Sequence, residues 1–334
     1  MKKLIDVVKD AKRRLIAPII SYPGVKFTNT TALENLKNPI THLDTLIEIV
    51  GEYGIDIVMT FMDLSIEAEA LGIPVEFKEN ESPDVRFHPL ENEEQLNNYI
   101  IPNPRIDARM PNFLAVVKLM KQYFPNKVCG GMVTAPFTLA GLMMGAEKIA
   151  LNTVIEPDFV KKTLEFTTEV IRRYVKEMER AGADFIILLE PTAVLLSPDG
   201  FREFVHPPIT KLLKHLNIPA VLHICGNTTS LIPAMCETGV QGLSLDGVVD
   251  FRKAAEIVPE DIVLIGNIDP VSVMINMGPE GVYSETIKFL DNMKDVQNLI
   301  LSTGCDLPTE TPHENIHAFC RAGRDWNRKM KYGK

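Results

Sequence analysis

The chain has 334 residues, 46% hydrophobic and 24% charged, enough to bury a large core and keep a solvated surface. Its formal net charge is −9 with no basic stripe, which argues against nucleic acid as a partner. The opening MKKLIDVVKDAKRRLIAPII interleaves acids with its basic residues, and its apolar stretch is too short for a membrane or secretory segment. The expectation is therefore a cytoplasmic protein with no membrane partner. Five cysteines, at 129, 225, 236, 305 and 320, are too scattered for a disulfide framework.

Short apolar runs alternate with longer amphipathic stretches along the chain. The runs fall at 15–21, 55–60, 128–134, 184–189, 219–223, 241–245, 262–266 and 298–302. Each is strand length and rich in Val, Ile and Leu, the pattern of parallel strands buried on both faces. Helical patterns lie between them, for example 156–181 and 200–216, the latter opened by Ser197-Pro-Asp. Eight runs alternating with helices predict a (β/α)8 TIM barrel with an N-terminal helical extension. The whole chain, 1–334, is expected to form a single domain. The long interval 61–127 predicts an insert after strand two, with a hairpin or cap near the barrel mouth. A doubly wound sheet shares the alternation, but no GxGxxG or P-loop pattern follows any run.

In such a barrel the reactive residues lie just past the C-terminal ends of strands. Those positions carry Asp63, Glu67 and Glu69; Thr134 and Pro136; Glu190; His223, Cys225 and Asn227; Asp246; Asn267 and Asp269; and Cys305 with Asp306. Asn, Asp and Ser there also suit plain helix caps. Thiols and imidazoles are poor caps, so His223, Cys225 and Cys305 need another account. Residues i and i+2 of an extended chain point to one side, which pairs His223 with Cys225. If runs five and eight deliver to the same mouth, Cys305 joins them. A Cys2His set with one open position is a zinc pattern that can take a thiol and stabilise it as thiolate. The alternative is a core histidine with two small buried cysteines. Cys129, Cys236 and Cys320 read as packing residues. His313 and His317 share a helix face but lack the HExxH arrangement, so they read as a solvated helix start.

The segments TAPFTLAGLMMGAEKI, GADFIILLEPTAVLLSPDGFREFVHPPITKLL, LHICGNTTSLI, GLSLDGVVDFRKA, LIGNIDPVSVM and LSTGCDLPTETPHENIHAF resemble the uroporphyrinogen decarboxylase superfamily over nearly the whole chain. Within it the sequence is most similar to the zinc methyltransferase branch, which includes methylcobamide:coenzyme M methyltransferases. That branch carries a HxC pair and a distant Cys, matched here by His223, Cys225 and Cys305. The resemblance implies a TIM barrel and a zinc ion on those three residues. It implies methyl transfer from a methylated corrinoid, held by a separate corrinoid protein, to a thiol such as coenzyme M. No DxHxxG-like cobalamin segment occurs in this sequence. Glu190 and Asp246 are the candidate catalytic carboxylates and fourth zinc ligands; Asn227 and Asn267 are candidates for substrate hydrogen bonds. A pterin such as tetrahydrofolate is the alternative acceptor.

One departure separates the branches. The decarboxylases grip a polycarboxylate substrate with an Arg-rich N-terminal segment. Here that region reads APIISYPGVKFTNTTALEN, with no arginine, and Arg13 and Arg14 stand just before it. The expectation is that uroporphyrinogen is not the substrate.

Overall fold

The computed structural model describes residues 3–332. Seven strands lie side by side in chain order, all parallel. They are β1 (Ile57–Met59), β2 (Val128–Thr134), β3 (Phe185–Leu189), β4 (Ala220–Ile224), β5 (Gly242–Leu245), β6 (Val263–Ile268) and β7 (Leu299–Thr303). The predicted run at 15–21 does not form a regular strand. Ile16 makes one parallel bridge to Leu301 of β7. Ala17 N–H donates to Leu301 O (2.8 Å), Leu301 N–H to Leu15 O (3.0 Å) and Asp56 N–H to Ile16 O (2.9 Å). Pro18 has no N–H with which to extend this ladder. The segment still occupies the eighth position, between β7 and the chain entering β1, and closes the sheet into a barrel.

Side chains alternate along each strand. Phe185, Ile187 and Leu189 of β3, Val221 of β4, Val263 and Ile265 of β6 and Ile300 of β7 fill the barrel interior. Their neighbours Leu188, Leu222 and Leu264 face the helical layer. Full burial of each such side chain stabilises the fold by about 1.5–3 kcal/mol relative to exposure. The helix Leu4–Ala11 sends Leu4, Ile5 and Val8 into the interior cluster and so plugs the N-terminal end. Its Leu4 N–H is held by Gln241 Oε1 at 3.0 Å.

The predicted helix at 156–181 is observed as Pro157–Ala181, with proline in its first turn and Gly182 at φ 106° after its end. The predicted helix at 200–216 is two helices, Pro198–Phe204 and His206–Leu213. Pro207 and Pro208 lack the N–H groups needed to continue the first helix and suit the first turn of the second.

In the insert after β1, the expected hairpin is reduced to one antiparallel bridge, Glu76 with Asp84. Glu79 O accepts from Leu33 N–H (3.1 Å) and Leu90 N–H donates to Met143 O (2.9 Å). Asn80 O accepts from Thr309 Oγ1 (3.0 Å). Leu33, Thr309 and Met143 follow the closing segment, β7 and β2, so the insert lies at the mouth. Among the described residues, no helix is long and apolar enough to cross a membrane.

Candidate metal centre at the barrel mouth

His223 continues the inward series of Val221, one layer nearer the mouth. It lies in register between Leu189 of β3 and Ser244 of β5. Its Nδ1 is 2.9 Å from Ser244 Oγ. With Nδ1–H donated to that oxygen, the Nε2 lone pair faces the thiols. Nε2 is 3.1 Å from Cys225 Sγ and 3.7 Å from Cys305 Sγ, and the two sulfurs are 3.4 Å apart. A tetrahedral zinc ion, with bonds of about 2.3 Å to sulfur and 2.0–2.1 Å to nitrogen, spaces its ligands by about 3.6–3.8 Å. The three atoms therefore need to move by only a few tenths of an ångström to fit that ion. His223 is buried, whereas Cys225 and Cys305 are partly open, so the free side of the trio is its thiol side.

Two glycines set the thiols in place. Gly226, directly after Cys225, has φ 84°, a conformation that favours glycine and turns the chain out of β4. Gly304 precedes Cys305 and passes so close to the next loop that a Cβ would meet Gly247 N at 2.2 Å. Asp246 Oδ2 accepts from Gly226 N–H at 2.7 Å and ties that turn to β5.

The two thiols shift each other's ionisation in opposite directions. A hydrogen bond from Cys305 favours thiolate at Cys225 and pulls its pKa down. Cys305 donates that bond, is buried beside the thiolate, and is pushed well up. Both can ionise together only with a cation between them.

Glu190 and Asp246 do not join the trio. Glu190 is fully buried and accepts from Phe137 N–H (3.1 Å) and Thr138 N–H, at the N-terminus of helix Pro136–Met144. Burial pushes its carboxyl up to about 7 against those bonds. The second oxygen of Asp246 accepts from Val248 N–H at 3.3 Å. Asn267 Nδ2 donates to Asp246 O (3.2 Å) and Val249 O (2.6 Å), so it braces the same loop. Asn227 is exposed and folds back onto Thr229 N–H and Oγ1. Cys129 and Cys320 are buried, and Cys236 is half-buried. His313 Nδ1 meets Tyr53 OH at 2.5 Å and His317 Nε2 meets Glu52 at 2.8 Å.

The structure adds residues that the sequence did not single out. Ser244 orients His223; a lone hydroxyl in the run QGLSL is its only trace in sequence. Ser21 N–H donates to Asp306 Oδ1 (2.9 Å) and Ser21 Oγ accepts from Met62 N–H (2.9 Å), which fixes the residue after Cys305. Arg109, in the insert, forms a second cluster at the same end of the barrel. It is buried and bonds Asp63, Glu69 (2.5 Å) and Ser65 Oγ (2.8 Å). Next to that cluster, Glu67 accepts from Thr134 N–H (3.0 Å) and Thr134 Oγ1 (2.7 Å).

A model of the family "Uroporphyrinogen decarboxylase (URO-D)" matches residues 21–326. The chain belongs to this family. A methylcobamide:CoM methyltransferase, MtbA, of Methanosarcina acetivorans is 30% identical over 92% of this chain and 94% of its own length. A uroporphyrinogen decarboxylase of Prochlorococcus marinus is 27% identical over 87% of this chain and 86% of its own length. The solved structure of a methyltransferase from Methanosarcina mazei superposes with TM-score 0.88 at 22% identity, covering 98% of this chain and 99% of that one, and supports the same barrel fold. The family thus contains two chemistries, and the site decides between them.

Proposed function

We propose that this family member is a zinc-dependent methyltransferase that moves a methyl group from a methylated corrinoid protein to a thiol such as coenzyme M. The observation that carries this reading is the convergence of His223 Nε2, Cys225 Sγ and Cys305 Sγ within 3.7 Å of one another. The MtbA-like relatives favour it, because their names specify that reaction. The decarboxylase reading is disfavoured by where the nearby arginines go. Arg13 pairs with Asp56 before β1, and Arg14 bonds carbonyls of Met293, Val296 and Leu299 near the start of β7. Both lie at the end opposite the mouth, away from any substrate there.

A zinc ion on the trio supplies a positive charge that keeps an acceptor thiol ionised at neutral pH. His223, Cys225 and Cys305 would hold the ion and leave room for the acceptor thiol, a ligand count typical of catalytic rather than structural zinc. Ser244 fixes the imidazole so that its free lone pair points at the thiols. Asp246 and Asn267 hold the β5 loop against the Gly226 turn, and Ser21 with Asp306 steadies the Cys305 loop. Glu190 anchors a helix N-terminus behind the site and acts as a positioning residue. The transfer is a displacement at carbon: the acceptor sulfur bonds the methyl as the cobalt–carbon bond breaks, leaving its electron pair on cobalt. The barrel mouth contributes orientation and the exclusion of water.

The test is metal analysis of the purified protein together with methyl transfer from methylcobalamin to coenzyme M. The expected result is one zinc per chain and thiol-dependent loss of methylcobalamin. A folded protein that binds no zinc would overturn the reading. Methyl transfer to tetrahydrofolate without transfer to any thiol would replace the acceptor.

A further inference from the structure

At the end of the barrel opposite the mouth is a cavity of about 770 Å³. It opens between the helix Leu4–Ala11, the chain entering β1 and β7, and the C-terminal helix His313–Tyr332. The chain as a whole carries −9. Yet eight of the sixteen residues lining this cavity are Lys or Arg, and one, Asp56, is acidic. Arg13 already neutralises Asp56 through two bonds, at 2.8 and 2.6 Å. Among the described residues, no ion pair involves Lys9, Lys12 or Lys294, and all three are exposed. Arg14 is 7% exposed and has no carboxylate partner. Its Nη atoms reach only backbone carbonyls, at 2.9 to 3.2 Å, and its buried Nε bonds nothing. Burial without a counter-ion pulls Arg14 down to about 10. The backbone carbonyls satisfy its Nη groups but supply no counter-charge, so an anion in the cavity would find an uncompensated cation there.

The other wall is apolar: exposed Met330 over the buried side chains of Val8, Ile16 and Trp326, with the Arg14 guanidinium 5.6 Å above the Trp326 ring. The volume falls within the usual range for small-molecule sites, and far exceeds what one phosphate fills. These eight cations gather in one concave site of an acidic chain rather than along an extended stripe, which disfavours an extended nucleic acid. We propose that this cavity binds a small di- or triphosphate ester carrying an apolar or aromatic group, the chemical class of the nucleotides. Its phosphates would lie on Lys9, Lys12, Lys294 and the Arg14 side, and its apolar group against Met330, beside the Arg14–Trp326 stack. This site is independent of the mouth and of the methyl-transfer reading.

Trp326 is the one tryptophan of the sequence, so it reports on its own site. The test titrates the intact protein with ADP, pyrophosphate and inorganic phosphate, following tryptophan fluorescence and heat of binding. ADP is expected to give a saturable change, tighter than pyrophosphate and at least about tenfold tighter than phosphate. The variant Lys9→Glu, Lys12→Asn, Lys294→Glu should weaken ADP about tenfold or more. Asn is chosen at position 12 because that residue sits at φ 50°. A control variant, Lys118→Glu, Lys211→Glu, Lys214→Glu, alters exposed lysines elsewhere and should leave binding unchanged. No saturable signal with ADP, phosphate binding as tightly as ADP, or equal loss in the control variant would each overturn the proposal.

Discussion

Two polar clusters stand at the same end of this barrel, and they are built on opposite plans. Around Arg109, the guanidinium meets Asp63, Glu69 and Ser65, and Asp63 also accepts from Ser65 N–H and Oγ. One guanidinium there serves two carboxylates, so the cluster draws its cation from within the chain. Around His223, two thiols and an imidazole converge with no cationic side chain among them, and Glu190 and Asp246 turn to backbone amides instead. The first cluster is complete and serves the fold: it ties the insert to the loop after β1. The second is a group that could hold a metal ion, the cation of the proposed reading. Both clusters are polar and at least partly buried, so neither property alone sets one apart. The lack of a cationic side chain does.

The comparison breaks if the two clusters respond alike to mutation. The largest effect is expected from Cys305→Ser, which removes a ligand and should lower methyl transfer by about a thousandfold or more, with loss of bound zinc. Its melting temperature should stay near that of the metal-free wild type. Arg109→Leu should do the reverse. It strands Asp63 in the interior without its counter-charge, with only the Ser65 N–H and Oγ bonds left, and should cost about 3–5 kcal/mol of stability, read by denaturant unfolding. Zinc content per folded chain should be unchanged. A stable Arg109→Leu protein that loses zinc would show that the two clusters are one site.

A finer separation comes from Ser244→Ala. Ser244 lies outside the trio, and its hydroxyl touches the far side of the imidazole at 2.9 Å. Removing it should weaken zinc about 10–100-fold, measured by competition with a chelating dye, with little change in stability. An unchanged zinc affinity would mean that packing alone orients His223.

The difference between the clusters also explains what the sequence could disclose. His223, Cys225 and Cys305 were legible because thiols and imidazoles have few uses at strand ends, and because counting strands brings distant positions to one mouth. Ser244 was not, since its role depends on strand register, which places it directly beside His223. Arg109 was not, because its partners lie across an insert whose path no periodicity encodes. Glu190 and Asp246 were found at the right strand ends, but which way a carboxylate turns is settled by the amides within reach: Phe137 and Thr138 for one, Gly226 and Val248 for the other. The barrel was legible from its buried apolar runs. The exceptions trace to proline: Pro18 stops the first strand from forming regularly, and Pro207 with Pro208 splits one predicted helix into two.

Glu67 offers the smallest effect and the sharpest check on the closed side of the comparison. Its carboxylate is buried among Thr134 N–H, Thr134 Oγ1 and the Asp63 charge, and burial raises it from 4.5 to about 7. A carboxyl that is harder to ionise folded than unfolded weakens the fold as pH rises. Below 4.5 both states are protonated and nothing is lost; between 4.5 and about 7 the unfolded chain gives up the proton first. Stability from this residue should therefore fall across that window by about 1–3 kcal/mol and level off above it. Glu67→Gln fits the same bonds: Oε1 accepts from Thr134 N–H, and Nε2 donates to Thr134 Oγ1, whose hydroxyl already reaches Leu64 O at 3.1 Å. The variant should match wild type at pH 4.5 and exceed it at pH 8 in chemical denaturation. Glu190, raised by the same cause, keeps its own slope in both proteins and cancels from the difference. A variant less stable than wild type at pH 8 would show that Glu67 is held as a carboxylate by a positive charge, and the cluster beside Arg109 would then share its cation more widely than its hydrogen bonds indicate.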